Sequence, residues 1–146
     1  MMKNPYSTAN TASRRDLASL AGWLQTEELA QPLEAGWTVA GVLAHLAFWD
    51  QRAFTLLQKW QEEGIGPSPI DVDVVNEVTR PLCVHLEPHT AVQLAVITAE
   101  AVDQAIAHLA PDFIAKVETD GKTVRLNRAL HRREHLEQIR QALGVK

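Results

Sequence analysis

The chain has 146 residues, of which 46% are hydrophobic and 22% charged, and a formal net charge of −4 at pH 7. That size suits one domain over residues 1–146 with one sizeable core, and is too short for two ordinary domains. The acidic balance disfavours nucleic acid as a partner, because phosphate binding needs a basic surface, and Arg125, Arg128, Arg132, Arg133 and Arg140 read first as solvated helix positions.

The N-terminal MMKNPYSTANTAS has no apolar stretch after its charges, so it does not read as a secretory signal. No run reaches the ~18 apolar residues of a membrane span, and a cytoplasmic location is expected. A first helix is predicted from about Ala12 to Leu33, with Leu17, Leu20, Leu24 and Leu29 as its apolar face.

A second helix is predicted to open after Thr38, whose hydroxyl can accept a free backbone N–H. Val39, Val42, Leu46, Trp49, Ala53, Leu56, Leu57 and Trp60 fall on one face. Gly64, Gly66, Pro67 and Pro69 then impose a loop. A shorter helical piece is expected from Asp71 to about Leu82. Pro88 suits the first turn of the next helix, where its missing N–H goes unused. That helix carries Val92, Ala95, Ala99, Val102, Ile106 and Leu109, and Pro111 is expected to end it. Asp112 to Leu126, with a turn at Asp120-Gly121, reads as a loop or a small hairpin. A last helix is predicted from Thr123 or Asn127 to Leu143, with Leu136, Ile139, Ala142 and Leu143 buried and Gly144 as its stop. Four long amphipathic helices imply an all-α four-helix bundle.

Cys83 is the only cysteine, which excludes an internal disulfide and a cysteine-based zinc cluster. Six histidines remain: His45, His85, His89, His108, His131 and His135. His131 and His135 are four apart, one turn on the same helix face, so both imidazoles can reach one ion. Helical-wheel angles put them at the edge of the buried arc of the last helix, and put His45 at the edge of the arc of the second. A single histidine in such a place is most often a packed, hydrogen-bonded residue. His85 and His89 share the spacing, but Pro88 between them spoils it, and His108 reads as solvated. HRREH also matches the reversed zinc-peptidase pattern, with Glu134 as the water-activating group. The only carboxylate after His135, Glu137, is too close to serve as its distant ligand, and no strand-rich region holds a peptide.

The segments WTVAGVLAHL and HRREHLEQIR together resemble the DinB-like family, over roughly Ala12 to Leu143. The wider superfamily includes bacillithiol- and mycothiol-dependent transferases and isomerases. The resemblance implies a four-helix bundle, often a homodimer, with one divalent metal held by His45, His131 and His135. It departs at Gly41, where the family often carries an acidic capping residue.

Three neutral imidazoles leave a coordination position open, as in a catalytic zinc site. All-nitrogen ligation suits zinc, nickel, iron or copper, with zinc or nickel expected first. The chemistry expected is that of a thiol-dependent S-transferase, with a low-molecular-weight thiol as cosubstrate, or of a small-molecule hydrolase. The alternative is a non-catalytic protein that binds or sequesters a small molecule around a structural metal. Glu134 and Asp50 are the candidate catalytic carboxylates. Trp49, Asn76, Arg132 and Gln138 are candidates for the pocket or for supporting the ligands. Asp50, on an apolar face, needs a partner such as Arg128 or Arg132. Cys83 reads as a buried structural residue before it reads as a nucleophile.

Overall fold

The computed structural model describes residues 4–145, so the two ends of the expected 1–146 domain, Lys146 among them, lie outside the described residues. Helix α1 spans Ser7–Trp23 and starts before the expected Ala12. Leu24 is extended at φ −69°, ψ 129°, which interrupts the helix predicted to continue to Leu33. Chain growth restarts in the four-residue α2, Thr26–Leu29, through a capping box in which the Gln25 N–H donates to Glu28. Leu24 and Leu29 are buried as expected, the first at that break and the second in the helix beyond it.

Helix α3 is the longest, Val39–Glu63, and the Thr38 hydroxyl accepts from the Gly41 N–H at 3.0 Å, the cap read from the sequence. Gly41 has a reason to lack a side chain. A Cβ there would stand 2.8 Å from a methyl of Val84 on the next helix. Helix α4 covers Val72–His85, capped by Asp71, and α5 covers Pro88–Ala107 with Pro88 in its first turn.

The expectation of a loop or hairpin over Asp112–Leu126 is wrong for most of its length. Pro111 does follow the end of α5, and it also opens helix α6, Pro111–Asp120. Proline's missing N–H and its ring's clash with the preceding turn bar it from a helix interior, while its fixed φ suits the first position of a new helix. Phe113, Ile114 and Val117 supply the apolar spacing. Helix α7 is Ala129–Leu143, ended by Gly144 in the left-handed region at φ 68°. Its buried positions include Leu136 and Ile139, but Ala142 is exposed, contrary to expectation. Among the described residues there is no strand, only an isolated bridge between Pro32 and Thr38, and no helix is long and apolar enough to cross a membrane.

Helix α3 packs against α2, α4, α5 and α7, and α1 packs against α5 and α7. The first turns of α3, from Val39 to Ala47, are therefore buried on every side. One apolar cluster joins Leu17, Leu43, Leu46, Ala95, Leu136 and Ile139. A second joins Leu57, Trp60, Val102, Ile106, Val117 and Leu126.

Along α3 and α5, Asp50 and Asp103 sit where one cluster gives way to the other. Arg132 reaches them from α7 and is fully buried. Its guanidinium donates to both Asp103 oxygens at 2.8 and 2.9 Å, to Asp50, to Ser13 and to two backbone carbonyls. Arg128 donates to the other Asp50 oxygen at 2.8 Å, and Arg14 to Asp103. Burial alone would lower the pKa of Arg132, but hydrogen bonding and charge from Asp103 and Asp50 raise it. The network joins side chains of α1, α3, α5 and α7 through hydrogen bonds across the interior.

Candidate metal centre

His45 lies on the buried first half of α3, and His131 and His135 lie one turn apart on the face of α7 that meets it. The packing of these helices brings the three rings together. Ring centroids are 5.0 Å apart for His45 and His131, 4.8 Å for His45 and His135, and 4.7 Å for His131 and His135. One ligand nitrogen from each lies within 4.8 Å of the others. Trp37 stands edge-on to His45 at 5.3 Å, and Trp49 flanks its ring at 6.4 Å.

The electrostatics favour neutral imidazoles. Burial first, and then the neighbouring His135, lower the pKa of His45 to about 4. Burial lowers that of His131 to about 3, helped by His135, His45, Arg128 and Arg125. A neutral imidazole keeps the lone pair that a metal requires. His135 is oriented by Gln138, whose amide oxygen accepts from Nδ1 at 2.9 Å and leaves Nε2 as the lone-pair nitrogen. The Nε2 atoms of His45 and His131 are 3.0 Å apart. Two lone pairs at that distance repel unless a proton or a cation lies between them. His45 Nδ1 is buried without a hydrogen-bond partner among the described residues. Three donors, two of them held neutral, meet the requirements of a divalent ion with affinity for nitrogen.

The histidines lie in a cleft of about 640 Å³. Trp49, Asn76, Glu134 and Gln138 also line it, and the Trp49 indole N–H donates to the Asn76 amide oxygen at 3.1 Å. The structure places Asp50 and Arg132 elsewhere. Both belong to the buried charge network, and neither lines the cleft. Asp50 has both partners expected for it, Arg128 and Arg132.

The other histidines are engaged away from the cleft. His85 donates to the Pro81 carbonyl, His89 stands 3.3 Å from the Thr26 hydroxyl, and His108 donates to the Gln104 carbonyl. Cys83 is buried in the first apolar cluster, and burial pushes its thiol up.

Residues not singled out as site candidates complete the wall. Trp37, Arg52, Lys122, Arg125 and Arg128 all line the cleft. The available signal was local: Lys122, Arg125 and Arg128 crowd one short segment of an acidic chain. Compared with protein-family models, curated proteins and solved structures, the chain gives no match.

Proposed function

We propose that this protein is a divalent-metal-dependent enzyme of the DinB-like type, a four-helix bundle of α1, α3, α5 and α7 with His45, His131 and His135 as ligands. The observation that carries this reading is the convergence of three imidazoles, from two helices, in an open cleft. Zinc or nickel suits three nitrogen donors. Such an ion, with a position left open, acidifies a water or a thiol placed there.

The chain's own residues have separable parts in this scheme. Gln138 orients His135, and the indoles of Trp37 and Trp49 exclude water around His45. Glu134, exposed on the cleft, is placed to hold a proton during attack on a small electrophile. Transfer to a low-molecular-weight thiol is the preferred reaction and hydrolysis the second. A cytoplasmic homodimer accompanies the reading, and an exposed apolar row on α4 at Val74, Val78 and Leu82 favours the dimer.

Metal analysis of protein purified without a histidine tag or chelator tests the site. One ion per chain is expected, absent from the His131→Ala/His135→Ala variant. A stoichiometric ion retained by that variant overturns the ligand set. Turnover of electrophiles only with metal and added thiol supports the transferase, whereas binding without turnover under every metal loading supports sequestration.

A further inference from the structure

The walls of the cleft carry an excess of positive charge in a chain of net charge −4. Arg52, Lys122, Arg125 and Arg128 line it, against one carboxylate, Glu134. Arg128 is neutralised by Asp50 at 2.8 Å. Arg52, Lys122 and Arg125 have no carboxylate partner among the described residues.

Arg52 is the most constrained of the three. Its guanidinium donates to the Thr123 carbonyl at 2.8 Å and to the carbonyl and hydroxyl of Ser68, and it stacks over Trp49 at 5.8 Å. These neutral acceptors take three hydrogen bonds from its terminal nitrogens and hold it in place, but they leave its charge uncompensated. Burial and the nearby Arg128 both act against that charge. A half-buried cation kept beside another cation gains most from an anion that arrives with a ligand. The same bonds tie the loop at Ser68 and the turn at Thr123 to α3, so the side of the cleft carrying Lys122 is held near Arg52.

We propose that the cleft takes a small molecule bearing a carboxylate or phosphate, bound by Arg52, Lys122 and Arg125, while its reacting end reaches the three histidines. The volume of about 640 Å³ lies within the range of small-molecule sites. The proposal rests on the metal reading for the reacting end only, because the anion wall is built from other residues. It also restricts the substrate class: uncharged electrophiles and thiols lose the contact that orients them.

Two measurements test it. In the first, cobalt-loaded protein is titrated with 3-mercaptopropionate and with its uncharged amide, following the thiolate-to-cobalt absorption. The carboxylate is expected to bind about tenfold more tightly at low ionic strength, with the preference shrinking as salt screens it. In the second, metal-free protein is titrated with inorganic phosphate while the Trp49 indole and Arg52 side-chain signals are followed by NMR. Both are repeated on Lys122→Gln/Arg125→Gln, two exposed positions whose replacement leaves the core intact.

A carboxylate preference lost in the double variant assigns a carboxylate, and phosphate-induced shifts lost in it assign a phosphate. Neither effect in the wild type, or no effect lost in the variant, overturns the proposal. Failure to take up cobalt overturns the metal reading, and the phosphate titration then decides the anion wall alone.

Discussion

The Nε2 atoms of His45 and His131 lie 3.0 Å apart although 86 residues separate them in the chain. Their rings belong to different helices, so the distance reports how α3 and α7 pack. The cluster is small enough that the support behind each ring bears on the function of all three.

Gln138 supports His135 from one turn further along α7. Gln138→Ala leaves every proposed ligand in place and frees one ring to rotate. Metal affinity is expected to fall by about 10- to 100-fold, as for other partners of ligating histidines. Competition with a chelator of known affinity measures it. An unchanged affinity would show that packing alone orients His135.

Acid should weaken the metal-free fold. His45 and His131 have folded-state pKa values of about 4 and about 3, below the ordinary 6.5. The folded state thus favours their neutral forms. Their contribution is fully present above pH 6.5 and is lost as the pH falls from there through 4 towards 3. Urea denaturation of chelator-treated protein at a series of pH values is expected to show stability declining below 6.5. A profile that stays flat from pH 7 to 4 contradicts the burial assigned to these rings.

Arg132 is expected to matter for stability and not for the metal. Arg132→Met leaves Asp50 with Arg128 alone and Asp103 with Arg14 alone, both carboxylates remaining buried. Breaking a buried ion network from one side costs about 3–5 kcal/mol. Denaturant unfolding checks the size. Metal content of the folded fraction checks the separation, and should remain at one ion per chain.

Gly121 ends α6 against the indole of Trp60. Its φ of −107° is open to any residue, so the constraint there is steric. A Cβ would stand 2.7 Å from the Trp60 ring. Gly121→Ala is expected to destabilise the protein by about 1–3 kcal/mol through overpacking of the second apolar cluster. A thermal melt matching the wild type would show that Trp60 can shift to make room.

Local chemistry was legible in the sequence where one residue decides the outcome. Thr38 caps α3 with its hydroxyl, Pro88 opens α5 with its fixed φ and Gly144 stops α7 with its left-handed backbone. The spacing of His131 and His135 likewise survives folding, because a helix fixes four-residue neighbours. Ambiguity arose where one residue type serves two ends. Pro111 suits the boundary after one helix and the start of another equally, so its presence does not distinguish α6 from a loop. The break at Leu24 leaves no mark in the leucine spacing, which runs across it without a gap.

Periodicity and capping residues were enough for an all-helical fold, for most of its long helices, and for a late pair of histidines poised to share an ion. Packing decided the rest. It seated His45 against that pair, drew Asp50 and Arg132 into the interior with Asp103, and lined the cleft with Arg52, Lys122 and Arg125. Helical periodicity tells which residues share a face. It does not tell which faces meet, or at what rotation, because that depends on contacts between residues far apart in the chain.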